Sequence, residues 1–135
     1  MKAIFKRAVP YADDAMNLPV ADVRVAIPYY EKTFGFRVVS RSDESPKCVV
    51  LARDGVQIGL AENGGDPTQE GCYFEVDNFE VDNFEVDNID AAFEEIKGKR
   101  PSESDLRIDK HGETSLRVFF EVAPDGLCYM IGQVI

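Results

Sequence analysis

Apolar positions change period along the chain in an order that occurs twice. Val23, Ile27, Tyr30 and Phe34 recur at helical spacing after Asp22, and the pattern stops at Gly35. Farther on, Ile89–Lys97 follows Asp87-Asn88 with the same amphipathic character and stops at Gly98. An Asp or Asn before such a run supplies a helix N-cap, and a glycine after it supplies a left-handed C-cap. Each run follows a short extended segment, Leu18-Pro-Val-Ala-Asp22 in one case and Phe84-Glu-Val-Asp-Asn88 in the other. Each is followed by three strand-like stretches. These are Phe36–Arg41, Lys47–Arg53 and Val56–Glu62, then Leu106–Asp109, Ser115–Val122 and Leu127–Val134. Asp54-Gly55 and Pro124-Asp-Gly126 provide the last turns.

The pattern therefore predicts an α+β fold built from two β-α-β-β-β modules, with a curved, barrel-like mixed sheet and the helices outside. Module one covers about residues 1–64 and module two about 70–135, within a single domain. Asn63–Glu70 reads as the connecting loop. Pro28 removes one backbone donor inside the first helix. Residues 1–20 are ambiguous: Ala3–Val9 has strand character as far as Pro10, and Met16–Val20 resumes it.

One segment breaks the regularity. Phe-Glu-Val-Asp-Asn occurs three times without interruption between Phe74 and Asn88. A period of five matches neither a strand nor a helix, so moving by one copy reverses every side chain relative to a sheet. The first copy continues a strand that starts at Cys72, the third caps the second helix, and the middle is spare. The extra length can form a loop or hairpin, lengthen the strand, or assist exchange between subunits.

Composition narrows the function. Hydrophobic residues make up 44% of the 135 positions, enough for a core without disulfides. Cys48, Cys72 and Cys128 lie in apolar stretches and read as buried free thiols in a reducing cytoplasm. There is neither a membrane-length apolar run nor the h-region of a signal peptide. The net charge of −10 opposes a nucleic-acid partner and permits a cationic ligand. Each repeat copy carries one Glu and one Asp, so the two extra copies supply four of those charges.

Alternation within each strand sorts side chains into two faces. Phe74, Val76, Val118, Phe120, Val122, Tyr129 and Ile131 form the greasier set, expected under the helices. The opposite set, Gln57, Tyr73, Glu75, Arg117, Phe119, Glu121 and Met130, would line a cleft. Glu75 and Glu121 would meet a cation, Arg117 an anion or a neighbouring glutamate, and Tyr73 and Phe119 a flat ring. No glycine-rich phosphate loop or Cys-x-x-Cys is present, and Ser115 with His111 lacks an orienting acid.

These motifs together resemble the vicinal oxygen chelate superfamily, which includes glyoxalase I, extradiol dioxygenases, and fosfomycin and bleomycin resistance proteins. The residues carrying the resemblance are Leu18-Pro-Val-Ala-Asp22, Tyr29-Tyr-Glu31, Phe34-Gly-Phe36, Val86–Phe93 and Ala123-Pro-Asp-Gly126. The resemblance implies paired modules around a cleft, often in a homodimer, and in the enzymes a divalent metal held by histidine and glutamate. Those ligand positions fall near Ala15, Gly59, Gly71 and Met130, none of which suits such a metal. Asp13, Asp14 and Glu70 are acidic neighbours without a histidine, and His111 lies outside the ligand pattern.

The expectation is a cytoplasmic, metal-free and cofactor-free homodimer of the bleomycin resistance type. It would sequester a cationic aromatic molecule without converting it. The alternative is a metal-dependent lyase, isomerase or dioxygenase with displaced ligands.

Overall fold

A computed structural model describes residues 3–11, 14–76, 79–81, 84–86, 88–102 and 104–135. The first half contains β2 (Leu18–Pro19), α1 (Val23–Phe34), β3 (Arg37–Ser42), β4 (Cys48–Arg53) and β5 (Val56–Ala61). The second contains β6 (Gly71–Val76), a β7–β8 pair (Phe79–Val81, Phe84–Val86) and α2 (Asn88–Lys97), then β9 (Arg107–His111), β10 (Thr114–Val122) and β11 (Cys128–Val134). A short 3-10 turn, Pro67–Gln69, interrupts the connecting loop.

The duplicated pattern is realised in the pairing. The four-stranded sheet runs β2-β5-β4-β3, and the same order, β6-β11-β10-β9, recurs in the second sheet. In both, the strand before the helix lies parallel to the last strand of its unit, and the remaining pairs are antiparallel. The second sheet gains a fifth strand, β1 (Phe5–Pro10), which crosses from the first half to pair antiparallel with β6. The sequence left the role of this segment open.

Caps and packing explain the elements. Asp22 accepts from the Arg24 amide at 2.9 Å, and Gly35 closes α1 at φ 69°, so both expected caps form. The expected stripe of Val23, Ile27, Tyr30 and Phe34 is buried. Asn88, expected as a cap, is instead the first residue of α2, and Asp87 lies outside the described residues. The amide of Ile89 is satisfied by Gln133 Oε1 at 2.7 Å. The first half uses the same device, with the Val23 amide donating to Glu62 Oε2 at 3.1 Å. Leu18 pairs with Leu60 and Phe74 with Ile131, which makes Glu62 and Gln133 equivalent positions. Each unit thus ends with a side chain that returns to its own helix N-terminus, where orphan amides need acceptors.

Both sheets and both helices contribute to one core. Phe34 is fully buried, Phe74 stacks on Tyr129 at 5.2 Å, and the Tyr30 and Tyr129 hydroxyls meet at 2.5 Å. Buried Arg53 joins the halves. It pairs with Glu95 of α2, donates to the carbonyls of Phe34 (2.6 Å) and Ala3 (2.7 Å), and lies over the Phe5 ring. Leaving such a guanidinium without partners would be costly, and here each of its nitrogens meets an acceptor or a carboxylate.

In the triple repeat, residues 74–76 of the first copy complete β6. Copies two and three pair with each other, Phe79 opposite Val86 and Val81 opposite Phe84. The described residues of the extra length form a two-stranded antiparallel sheet, and the path of the rest lies outside the described residues. None of the helices among the described residues is long and apolar enough to cross a membrane.

Candidate functional site

Residues directly opposite in a sheet share a face, so the pairing decides which side chains face the helices. Phe119 pairs with Ile131, Arg117 with Gln133 and Glu121 with Tyr129, which places all three on the helix side. Phe120 pairs with Met130, and Met130 with Tyr73, which places these on the open side.

The cleft set expected from alternation is therefore corrected in part. Arg117 reaches Asp90 of α2 at 3.4 Å. Phe119 packs edge-on against Phe93 of α2 at 5.1 Å. Glu121 pairs with Lys97 of α2 and accepts from the Tyr29 hydroxyl at 3.1 Å. The phase of β10 was inverted because the strand is apolar on both sides, so hydrophobicity alone does not choose a face. Polar groups on α1 and α2 choose it, by giving Arg117 and Glu121 partners at the helix edge. Correspondingly, Val118 lies on the open side, where Phe120 is part-exposed and Val122 is 58% exposed. Gln57 is exposed on β5 of the other sheet and does not line the same hollow.

Tyr73, Glu75 and Met130 do lie on the open side of the five-stranded sheet. There a hollow of about 270 Å³ is bounded by Arg7, Val9, Tyr11, Tyr73, Leu116 and Met130. Two tyrosine rings form much of its floor, each lying across a glycine. A Cβ on Gly132 would come within 2.9 Å of the Tyr73 ring, and one on Gly71 within 2.7 Å of the Tyr11 ring. The glycines allow the rings to lie close to the sheet, and the rings cover backbone that glycine would leave bare. Burial and nearby Glu75 push the Tyr73 phenol up to about 12, so it stays a neutral donor at physiological pH. Its hydroxyl lies 3.5 Å from Glu75 Oε1. Glu75 is buried and pairs with Arg7 (3.2 Å) and Lys6 (3.8 Å).

Arg7, Lys6, Val9, Tyr11 and Leu116 were absent from the sequence-derived set. Four of these five lie on or just beyond β1, whose pairing with the other half is a long-range choice with no local signature.

A second groove, about 210 Å³, lies on the helix side between α1 and the Pro124–Gly126 turn. Its polar groups are already used internally. Asp22 caps α1, Asp125 accepts from the Ala21 amide, and Tyr29 donates to Glu121. The open face, with a guanidinium at its rim, is the better candidate.

The four positions at which the resemblance implies a metal do not fit one. Gly59 and Gly71 cannot carry any side chain without rearrangement. A Cβ would lie 2.1 Å from the Met16 carbonyl oxygen in one case and 1.8 Å from that of Cys128 in the other. Ala15 has no donor side chain, and its carbonyl accepts from the Gly59 amide at 2.9 Å. Met130 offers a thioether, a poor ligand for hard or borderline cations. Among the described residues no group of three or more His, Cys, Asp or Glu is placed to hold a metal ion. The side chain of His111 lies outside the described residues. Cys72 is a buried free thiol, pushed up to about 12 by desolvation, while Cys48 and Cys128 are only half-buried.

Doubled β-α-β-β-β units, parallel first and last strands, and an open sheet face with a hollow define a class of paired-module α+β proteins. A family model of the Glyoxalase/Bleomycin resistance protein/Dioxygenase superfamily matches residues 13–127, and the chain belongs to that superfamily. Solved structures agree in fold. A bleomycin resistance determinant encoded on the transposon Tn5 is 20% identical, with a TM-score of 0.56 over 90% of this chain and 98% of its own. Virulence protein STM3117 from Salmonella typhimurium is 19% identical, with a TM-score of 0.55 over 91% and 96%. TnmS3, an antibiotic binding protein from Streptomyces sp. CB03234, is 15% identical, with a TM-score of 0.52 over 92% and 97%. No curated protein sequence matches the chain.

Proposed function

We propose that this protein binds and sequesters a small aromatic molecule on the open face of its five-stranded sheet, without a metal and without converting it. The observation carrying this reading is the hollow floored by the Tyr11 and Tyr73 rings and walled by Leu116, Val9 and Met130. Such a surface rewards a flat apolar ligand through burial and ring contacts. The absence of suitable side chains at Ala15, Gly59, Gly71 and Met130 supports binding over metal chemistry. Two fold neighbours are described as a bleomycin resistance determinant and an antibiotic binding protein, which is the same kind of role.

The reading includes a homodimer in the cytoplasm, with a second copy covering the hollow. Its support is the apolar surface left on the open face, where Val9, Tyr11, Phe120 and Val122 are all exposed. Aromatic and aliphatic surface of this kind is typical of an interface core. The sequence argument for a cationic ligand keeps neither of its carboxylates, because Glu121 turns to the helices and Glu75 is engaged by Lys6 and Arg7.

The test is a thermal-shift screen of aromatic compounds, with metal analysis of the purified protein and light scattering of its mass. A true ligand at a hundred times its Kd stabilises by about 2.7 kcal/mol, on the order of 10 °C here. That shift should survive a chelator and shrink in Tyr73→Ala. Stabilisation by a divalent metal, abolished by the chelator, would transfer the protein to the catalytic alternative. A monomeric mass at assay concentration would remove the second copy.

A further inference from the structure

We infer that the hollow selects an aromatic molecule bearing one negative charge, a carboxylate being the simplest case, held by Arg7 with help from Lys6. This rests on the binding site proposed above and concerns which ligand that site prefers. The starting point is the register between β1 and β6. Phe5 lies opposite Val76 and Arg7 opposite Glu75, so Lys6 is an extra residue, a β-bulge. In a regular strand, consecutive side chains point to opposite faces. Here both Lys6 and Arg7 approach Glu75, at 3.8 Å and 3.2 Å. The bulge is anchored by tertiary contacts. The Phe5 amide is tied to Asp54 Oδ2 at 2.8 Å and its ring is buried in the aromatic core, which fixes one side of the irregularity.

The charges do not balance. Two cations share one carboxylate, and neither cation has another acidic partner among the described residues. The Glu75 side chain is 5% exposed, whereas those of Lys6 and Arg7 are 55% and 60% exposed. The negative charge is buried, and the surplus positive charge faces outward where Arg7 borders the hollow. Glu75 Oε1 and Oε2 engage Nη2 and Nε of Arg7, which leaves Nη1 without a partner among the described residues. A guanidinium held on one edge by a buried carboxylate presents a pre-oriented donor to a second carboxylate.

A cationic ligand would add a third positive charge around one carboxylate, or would have to displace Arg7 from it. The net charge of −10 acts the other way over long range, but screening beyond about 8 Å leaves the contact pair dominant. The first half carries nothing comparable, since Pro19 stands where Glu75 stands in the second.

The test uses matched probes on the full chain by titration calorimetry at physiological ionic strength: 2-naphthoate, 2-naphthalenemethanol and 2-naphthylmethylamine. Naphthoate should bind about tenfold more tightly than the amine, and more tightly than the alcohol, as expected for one charge-assisted contact. Arg7→Gln should weaken naphthoate about tenfold and the alcohol by a clearly smaller factor. Lys6→Gln, which keeps the Arg7–Glu75 pair, should weaken naphthoate by a smaller factor and gives a reading if Arg7→Gln does not fold. Arg41→Gln, at an exposed pair with Asp43, should change nothing. Equal affinity for all three probes, tightest binding of the amine, or naphthoate binding indifferent to both variants overturns the charge assignment and leaves the aromatic site standing. If none of the three binds up to millimolar concentration, the aromatic site falls, and this inference falls with it.

Discussion

The two halves of the molecule share an element order and a pairing order, yet the sides of their sheets away from the helices differ in almost every residue. Where the second half has Tyr73, Glu75 and Met130, the first has Asn17, Pro19 and Gly59 at the positions that pair equivalently. The first half brings backbone close at Gly59, and the second places a side chain there. The second half also takes the only strand that crosses between the halves among the described residues, and with it Lys6 and Arg7. Duplication accounts for the scaffold. The candidate site arises where the copies no longer match.

The strongest way to break this contrast is to force the halves to agree. Gly59→Met installs the residue found at the equivalent position, and its Cβ would lie 2.1 Å from the Met16 carbonyl oxygen. A loss of about 3 kcal/mol is expected, read by urea unfolding, because backbone must move to make room. Met130→Ala, on a half-buried side chain, should cost only about 1 kcal/mol. Equal costs would show that the first half has room for a lined face after all.

The capping side chains sharpen the comparison in the other direction, since here the halves behave alike. Gln133→Ala should cost about 1.5 kcal/mol, because it leaves the buried Ile89 amide without its acceptor. Glu62→Ala should cost about 0.7 kcal/mol, because Glu62 is only half-buried and water can replace it at the Val23 amide. Loss of protection at Ile89 and Val23 in amide exchange would locate each effect at its helix start.

The smallest effect belongs to the repeat. Removing two copies of Phe-Glu-Val-Asp-Asn leaves the same sequence whichever ten residues are deleted. It shortens the second half's strand-to-helix link to the length found in the first. Stability should change by no more than about 0.6 kcal/mol, the scale of loop-closure entropy for such a change, with probe binding retained. A large loss would make the β7–β8 pair part of the fold.

Much of the scaffold was legible because its signals are local. Asp22, Gly35, Gly98 and Asp54-Gly55 mark ends and turns through backbone chemistry that operates within a few residues. The apolar stripe of α1 reports a core that any helix with that pattern must bury. The site was legible only in part. Tyr73, Glu75 and Met130 sit on strands with a clear alternation, whereas β10 is apolar on both faces, so alternation does not choose its orientation. Glu62 and Gln133 carry no sign of their capping role, because each acts on a helix start far away in sequence.

The sequence by itself determined two amphipathic helices, both caps of the first, the β-α-β-β-β order of each unit and the fact of duplication. Each of these follows from side-chain periodicity or from φ/ψ preferences within a few residues. Only the tertiary structure decided that β1 joins the other half's sheet, that its bulge turns Lys6 and Arg7 onto one buried carboxylate, and that Arg117, Phe119 and Glu121 face the helices. Those outcomes depend on pairing register and on partners between 24 and 92 residues away for Arg117 and Glu121, and 68 for Arg7, distances at which no local pattern carries the information.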